Sequence, residues 1–462
     1  MDRITNALLQ LMSSGPRSTP ELAQSLDASP STVLRALRTL ERDQRVVRIG
    51  RTRGARYALR RTIAAIGSQW PIYRIDEKGA VHELGTLEAI ERSSYYVTAG
   101  PLRAQGLFEG IPYFLQDARP AGFLGRAVPA MCPELELPSR VIDWTDEHYL
   151  SYLTRRGTDC IGALIVGTES MDRHLSGAQA APLVPENQRV TQYPTYALQA
   201  MAGSPPGSSA QGEHPKFTAW VGKEGDRRVA VIVKFSPPRS IATGQRWADL
   251  LTAEHLAHRV LDEHGIRACS SEILEYNDRV FLQCERFDRV GSEGRRSVVS
   301  LYALDMCRYG RLDSWTAAAE RLTSDGLLPV EEGDRIRLLD AFGALIANTD
   351  RHFGNITLFD DYQAGAAAAV TSPAGAPCTL APVYDMLPML FAPQNDQIVP
   401  RDFVAPSPRS AWLPVWSRAR SLAETYWDTL VAEPRLSEEF RQLCVRSLQV
   451  LRAMPSRGMA AS

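Results

Sequence analysis

Three short runs near the N-terminus repeat apolar residues at helical spacing, at 4–12, 21–26 and 33–40. The second and third runs each follow a hydroxyl residue and a proline, Thr19-Pro20 and Ser29-Pro30. A hydroxyl can cap the first N–H groups of a helix, and proline fits the first helical position because its missing N–H has no partner there. Two capped helices separated by a short turn predict a helix-turn-helix.

Two strand-like segments follow the third run, at 45–49 and 55–59, on either side of Gly50-Arg-Thr-Arg-Gly54. This pattern predicts a basic β-hairpin, so that residues 1–62 form a winged helix-turn-helix. Residues 1–60 contain eleven arginines and five acidic residues, whereas the whole chain has a formal net charge of −1. A basic N-terminal unit on an acidic remainder favours a polyanion as the partner of residues 1–60.

DNA is therefore the expected partner of this unit. If the third helix enters a major groove, its N-terminal residues would face base edges, while arginines of the helix and hairpin would meet phosphates or the minor groove. The expected base contacts are Ser31, Thr32 and Arg35, and the expected backbone contacts are Arg38, Arg51 and Arg53. A helix-turn-helix that serves only protein contact or dimerisation is the alternative.

Residues 63–200 predict a β-rich subdomain with a mainly scaffolding role. Apolar and polar residues alternate across a turn signal at 70–84, which is typical of a hairpin. Glycine, proline and aromatic residues are dense between 100 and 138, and a short apolar run that ends at Gly167 favours a buried strand. The small, polar segment 203–212 suits either a plain linker or a ligand-binding loop.

Residues 201–290 predict a nucleotide-binding lobe. An alternating segment, 216–221, and a strongly β-branched segment, 228–235, predict a hairpin whose second strand carries Lys234 near its end. A lysine on a rigid apolar strand, next to a loop of backbone N–H groups, can hold nucleotide phosphates. A surface lysine at a strand end is the plain alternative.

The segments after this hairpin add two features of a kinase. A helical pattern at 247–261 offers Glu254 as a partner for Lys234. Two further strands are separated by Asn277-Asp278, a favourable hairpin turn pair. The second strand leads into Glu285-Arg-Phe287, where a kinase would place its hinge and offer backbone groups to adenine.

The most specific pattern is Asn348-Thr-Asp-Arg-His-Phe-Gly-Asn355, a polar loop between an apolar helix and a short strand. Protein kinases use the spacing of Asp350 and Asn355 for the aspartate that accepts the substrate hydroxyl proton and the asparagine that binds Mg²⁺. Asp385, about thirty residues further on, matches the aspartate that holds Mg²⁺ across the phosphates. Aspartate and asparagine also cap turns, and His352 alone is typical of a hydrogen-bonded loop histidine.

The composition predicts an ordinary cytoplasmic protein. Hydrophobic residues make up 44% of the chain and charged residues 23%, and no apolar run is long enough to span a bilayer. The seven cysteines are scattered without a C-x-x-C pair, which favours neither a disulfide framework nor a zinc site. DNA binding by residues 1–60 would add an association with the bacterial nucleoid.

Together these residues resemble the HipA family of serine/threonine kinase toxins, in particular long bacterial variants with a fused helix-turn-helix. The resemblance covers about residues 70–450. It implies an α+β fold in which the winged helix precedes a two-lobed, protein-kinase-like fold, with a β-rich N-lobe and a helical C-lobe at 291–455. Its most specific segments are Asp159-Cys-Ile-Gly-Ala-Leu164, Cys284-Glu-Arg-Phe-Asp288, the loop 348–355 and Leu380-Ala-Pro-Val-Tyr-Asp385.

The resemblance assigns a role to each candidate residue of the kinase site. It implies ATP and Mg²⁺ as the cofactors, Asp350 as the catalytic base, and Asn355 and Asp385 as the magnesium ligands. The implied ATP-binding residues are Gly212, Lys216, Lys234, Glu285, Phe287 and His352.

The family also implies regulation by the phosphate loop, since autophosphorylation of a loop serine ejects the loop and silences the kinase. Counting back from Lys216 gives Ser209, with Ser208 beside it. The family pattern is Gly-x-Gln-x-Lys, whereas this sequence has Gly212-Glu-His-Pro-Lys216. The departure from the family pattern therefore lies in the phosphate loop rather than at the metal site.

Three functions follow from these patterns. The first is a growth-inhibiting serine/threonine kinase with a protein substrate, since family substrates include aminoacyl-tRNA synthetases; a homodimer on paired DNA half-sites is expected with it. HipA toxins usually pair with a separate helix-turn-helix antitoxin, whereas this chain carries its own. The alternatives are a transcriptional regulator whose kinase-like fold senses a nucleotide or another ligand, and a kinase for a sugar or small molecule.

Overall fold

The computed structural model describes residues 3–50, 54–101, 104–177, 181–203, 212–225, 227–360 and 378–455. Its first unit has its strands in the order β1-β3-β2 and consists of α1 (Arg3–Met12), β1 (Arg17–Ser18), α2 (Thr19–Leu26), α3 (Pro30–Arg42), β2 (Val46–Ile49) and β3 (Arg56–Leu59). Ser18 and Ser29 cap α2 and α3 by accepting the N–H groups of Glu21 and Thr32. The helices and the two longer strands lie where the apolar pattern predicted them.

A backbone hydrogen bond and an ion pair join this unit to the next. The N–H of Glu91 donates to the carbonyl oxygen of Leu59 at 3.1 Å. Beside it, Arg60 pairs with Glu88, and each side chain is only 10% exposed. Salt screens a pair this buried far less than a surface pair, so this ion pair and the backbone hydrogen bond both attach the first unit to the second.

The second unit contains a sheet in the order β7-β6-β5-β4-β8. Helices α6 and α7 pack against β4 and β8, with Ile75, Ile165 and Met171 buried between α7 and the sheet. The unit is therefore more helical than the predicted β-rich subdomain. Its elements are β4 (Gln69–Ile75), β5 (Val81–Ile90), β6 (Ser94–Val97), β7 (Gly106–Glu109), α4 (Gly122–Gly125), α5 (Val128–Met131), α6 (Asp146–Arg156), β8 (Leu164–Val166) and α7 (Thr168–Leu175).

The third unit is a sheet in the order β12-β13-β11-β10-β9, with one long helix beside it. Its elements are β9 (Leu183–Pro185), α8 (Arg189–Met201), β10 (Lys216–Gly222), β11 (Arg228–Phe235), α9 (Ala242–Glu263), β12 (Ser271–Tyr276) and β13 (Arg279–Glu285). β9 is parallel to β10 and reaches it through α8, because parallel neighbours need a crossover connection. This sheet thus begins at Leu183, before residue 201, at which the sequence pattern placed the start of the nucleotide-binding lobe.

The remainder of the chain is mainly helical around one large core. Its elements are β14 (Arg289–Val290), β15 (Gly294–Arg295), β16 (Val298–Ser300), α10 (Leu301–Arg308), α11 (Trp315–Ser324), α12 (Val330–Leu345), β17 (Thr357–Phe359), β18 (Thr379–Leu380), α13 (Trp416–Ala432) and α14 (Glu438–Arg452). The buried Trp427 donates its indole N–H to the Leu345 carbonyl at 3.1 Å and so anchors the end of α12. Of the helices described, none has the length and hydropathy of a membrane span.

Candidate active site

Two lysines lie side by side on the hairpin of β10 and β11. Lys216 and Lys234 are directly opposite each other in the antiparallel register, so their side chains project from the same face of the sheet. Lys216 is 3% exposed and Lys234 is 9% exposed. Like charges directly opposite each other destabilise a sheet. This hairpin therefore requires anions on the face that carries the lysines.

Glu254 on α9 and Asp385 supply two of these anions. Lys234 Nζ donates to both carboxylate oxygens of Glu254, at 2.6 and 2.8 Å, and to Asp385 Oδ1. The N–H of Asp385 donates to Glu254 Oε1 at 3.1 Å. The pairing of Lys234 with Glu254 predicted from the sequence is confirmed. The cluster joins β11, α9 and the segment after β18.

The charges of this cluster depend on one another. Burial acts to lower the pKa of Lys234, but Asp385 and Glu254 outweigh it and raise that pKa above the ordinary value. Burial acts to raise the pKa of Asp385, whereas Lys234 and Lys216 hold it well below its usual range. Burial lowers the pKa of Lys216 to about 8, with Asp385 opposing that change and Lys234 adding to it. An anion bound near Lys216 would stabilise its charged form.

The polar loop begins where α12 ends, and Asn348 organises it. Ala347 turns the chain with a left-handed backbone, φ 59°. The buried Asn348 then accepts the N–H of Asp350 on Oδ1 at 2.9 Å and donates from Nδ2 to the Asp385 carbonyl oxygen at 3.3 Å. Asn348 thus holds the backbones of the two acidic residues near each other. Asn348 is the first residue of the loop pattern in the sequence, but the pattern predicted no role for it.

Asp350 and Asn355 are held differently within this loop. The Asp350 side chain is 52% exposed, and its Oδ1 lies 3.9 Å from His352 Nε2. Asn355 is buried, and its Nδ2 donates to the Asp350 carbonyl oxygen at 2.8 Å. His352 Nδ1 accepts the N–H of Gly354 at 3.0 Å, which is the loop role expected of a histidine alone. A rigid backbone therefore presents the Asp350 carboxylate to solvent.

Residues that the sequence did not single out support the loop from behind. Trp315 donates its indole N–H to the His352 carbonyl at 3.0 Å. The Tyr384 hydroxyl donates to the Gly354 carbonyl at 2.8 Å and lies 2.7 Å from Thr357 Oγ1. Tyr384 directly precedes Asp385, so one side chain links the magnesium candidate to the loop. Tyr384 is half-buried, and the only signal in the sequence was a tyrosine hydroxyl that usually finds a hydrogen-bond partner when it packs inside a protein.

The expected hinge lies beside the same cluster. The Phe287 ring packs against Tyr384, with ring centres 5.8 Å apart. The N–H groups of Glu285 and Arg286 donate to the carbonyl oxygens of Ser270 and Ala230, at 2.9 and 2.8 Å. Because β13 continues its pairing into the hinge, these two N–H groups are not available to adenine. The expectation that backbone groups of the hinge bind adenine therefore does not extend to these N–H groups.

The phosphate-loop candidates are only partly described. Ser208 and Ser209 lie outside the described residues. Gly212 has φ 98°, and a Cβ built on it would lie 2.7 Å from Lys216 Nζ, so the backbone passes close to that amine. His214, which departs from the family pattern, packs on Trp247 with ring centres 4.5 Å apart. The replacement is thus accommodated by an aromatic contact.

The expected magnesium ligands suit a cation that is shared with phosphate. Asp385 offers a carboxylate, and Asn355 offers an amide oxygen because its amide nitrogen is the donor to Asp350. In the described parts of the chain, no cluster of three or more histidine, cysteine, aspartate or glutamate side chains could hold a metal ion by itself. Mg²⁺ typically takes one or two protein carboxylates and completes its shell with water and phosphate oxygens, which fits this donor set.

Four of the six expected DNA contacts lie on α3. Ser31, Arg35 and Arg38 are exposed. Thr32 is half-buried and belongs to the helix cap, since its hydroxyl lies 2.9 Å from Ser29 Oγ. Arg51 and Arg53 lie outside the described residues.

Comparison with known proteins identifies the family. Residues 66–175 match the middle domain of the YjjJ-like toxin, and residues 208–446 match the HipA-like C-terminal domain. The chain is 36% identical over 450 residues to Toxin YjjJ of Escherichia coli strain K12, with 96% of each covered. HipA of Shewanella oneidensis MR-1, solved with HipB and operator DNA, has the same fold at a TM-score of 0.52 and 16% identity, covering 83% of this chain and 96% of that one. The chain therefore belongs to the YjjJ-like toxins with a HipA-like C-terminal domain.

Proposed function

We propose that this protein is an ATP- and Mg²⁺-dependent serine/threonine protein kinase of the HipA toxin type. The observation that carries the proposal is the meeting of the Lys234–Glu254–Asp385 cluster with the loop of Asp350 and Asn355, through Asn348. Phosphoryl transfer by protein kinases needs a lysine that holds the phosphates and an aspartate that accepts the substrate proton. A buried lysine held by two acids, next to an exposed aspartate on a rigid loop, fits these two roles.

Each residue of the site would contribute one element of the reaction. The hydroxyl oxygen of the substrate would form a bond to the γ-phosphorus, and the bond from that phosphorus to the β–γ bridging oxygen would break, so that ADP leaves. Asp350 would accept the hydroxyl proton, because its carboxylate is more exposed than those of Glu254 and Asp385. Lys234 and Lys216 would orient the phosphates from the rigid hairpin. Bound magnesium would neutralise phosphate charge, with Asp385 and Asn355 as its protein ligands.

The hinge would hold adenine through groups that the sheet does not use. The N–H groups of Glu285 and Arg286 are engaged in the sheet. The Glu285 carbonyl oxygen has a weaker partner than these N–H groups have, since it accepts the Cys269 thiol, at 3.3 Å. Adenine would therefore be bound by this carbonyl and by Phe287.

Phosphate transfer to the protein itself tests the proposal. We expect the purified chain with labelled ATP and Mg²⁺ to acquire phosphate on Ser208 or Ser209, located by mass spectrometry, because the family regulates itself at this position. A variant with both Ser208→Ala and Ser209→Ala is the control and should lose this label. Nucleotide binding without transfer to either serine or to any lysate protein would contradict the kinase and favour the ligand-sensing regulator.

We also propose that the first unit is a winged helix-turn-helix that binds DNA. Ser31, Arg35 and Arg38 form an exposed face on α3, and residues 1–60 carry an excess of arginine. The Shewanella HipA was solved in a complex with HipB and operator DNA. That assembly supports DNA as a partner of toxins of this type.

Replacing Arg38 with alanine should weaken DNA binding and reduce its salt dependence. Loss of one phosphate contact lowers the slope of log K against log salt by about 1. Fluorescence anisotropy with duplex DNA at several salt concentrations measures this slope. Arg446→Ala is the matched control, since Arg446 is an exposed arginine on α14, far along the chain. An unchanged slope for Arg38→Ala, or equal losses in both variants, would argue against the DNA contact.

A further inference from the structure

A short turn of the second unit lies directly against the phosphate-loop candidate. The N–H of Phe123 in α4 donates to the Gly212 carbonyl oxygen at 2.9 Å. Gly122 comes closer still, because a Cβ built on it would lie 2.3 Å from the same oxygen. Real Cβ atoms do not approach an oxygen so closely, so this contact between two backbones requires glycine at position 122.

Two side chains, Phe123 in α4 and Arg126 directly after it, attach the turn to the nucleotide-binding lobe. Phe123 packs against the buried cluster of β10 and α8 that contains Tyr193 and Phe217. Arg126 pairs with Glu213, the residue that follows Gly212. This ion pair is weak alone because its side chains are 58% and 75% exposed. Together with the aromatic contact and the backbone hydrogen bond, it joins the turn to the lobe at three points.

The position of Gly212 matters to the site because of Lys216. The Gly212 backbone passes so close to Lys216 Nζ that a Cβ would meet it at 2.7 Å. Lys216 in turn lies opposite Lys234 on the hairpin. A displacement of Gly212 would therefore change the space around the amine of Lys216.

We propose that α4 and the residue after it position the Gly212 end of the phosphate loop, with Gly122, Phe123 and Arg126 fixing Gly212 above Lys216. This inference rests on the proposed kinase function and extends it, because it makes the second unit part of the nucleotide site. Since the loop contacts phosphates rather than adenine, loss of the α4 contact selectively weakens the binding of ATP. The binding of adenosine stays the same.

Gly122→Ala in the full-length chain tests the contact. Gly177→Ala is the matched control, because Gly177 has a similar backbone, φ 69° against φ 62°, but nothing within 4 Å of an added Cβ. Isothermal titration measures the Kd of each variant for Mg·ATP and for adenosine. We expect Gly122→Ala to weaken ATP binding on the order of 10-fold to 100-fold, since a misplacement of about 1 Å can cost up to about 100-fold. Adenosine binding should change less than about twofold, since the displaced loop contacts phosphate rather than the nucleoside.

A charge exchange provides a second test that does not depend on the fit of a new methyl group. Arg126→Glu and Glu213→Arg should each weaken ATP binding, and the double exchange should restore it. The inference is overturned if the two glycine variants lose ATP equally, if adenosine binding falls in parallel, or if the double exchange restores nothing. A wild-type chain that binds no Mg·ATP at all would instead overturn the proposed function.

Discussion

Asp350→Asn should lower the rate of phosphate transfer by about 10³-fold, within the range measured for loss of a general base. The physical reason is that asparagine cannot accept the proton of the attacking hydroxyl, although it keeps the shape of the side chain. Folding and ATP binding should not change, since the Asp350 carboxylate is 52% exposed. Its backbone contacts to Asn348 and Asn355 do not depend on the side chain. Single-turnover transfer from labelled ATP measures the rate.

Asp262→Asn is the control for this experiment, because Asp262 is an exposed aspartate near the end of α9. It makes the same chemical change away from the loop and should transfer phosphate at the wild-type rate. If Asp350→Asn retains more than about a tenth of the wild-type rate, well above the loss expected for a general base, Asp350 is not the proton acceptor.

The candidate site was predictable where its chemistry follows the local sequence. The loop at 348–355 carries its spacing in eight consecutive residues, and α12 and β17 lie on either side of it as the apolar pattern predicted. The pairing of Lys234 with Glu254 was also predictable, since a lysine on β11 and the helix that follows it lie close along the chain. Local periodicity and short connections place such residues with little freedom.

Contacts between distant segments were not predictable in this way. Asn348 donates to the carbonyl of Asp385, and Tyr384 donates to the carbonyl of Gly354. Both contacts end on backbone oxygens, which every residue has, so the residue types indicate that a donor needs a partner but do not identify that partner. Only the packing of the helical lobe, which brings 348–355 and 384–385 together, determines these partners.

The division into units shows the same limit. β9 has only three residues, which is too few for an alternation of apolar and polar residues to predict a strand. Its place in the sheet depends on a parallel pairing with β10. The approach of Gly122 to Gly212 likewise joins segments about ninety residues apart. A glycine-rich stretch predicts a turn, but the need for glycine here comes from a neighbour that the local sequence does not contain.

Lys234→Met should both destabilise the protein and abolish the binding of Mg·ATP. The Lys234 ammonium lies between Glu254, whose side chain is 1% exposed, and Asp385. Removing the cation leaves two acids close together in a buried site, and loss of one partner of a buried ion pair typically costs about 3–5 kcal/mol. Urea unfolding followed by circular dichroism measures the loss of stability, and isothermal titration measures ATP binding.

The double variant Lys234→Met/Glu254→Met separates the two effects. With the most buried acid also removed, the apolar pair should recover much of the lost free energy of unfolding, because replacing both partners costs far less than removing one. ATP binding should not recover, since the phosphates still lack the lysine on β11. Lys78→Met, at an exposed turn, should leave both quantities unchanged. Recovery of ATP binding in the double variant would mean that Lys234 supports the fold rather than the phosphates.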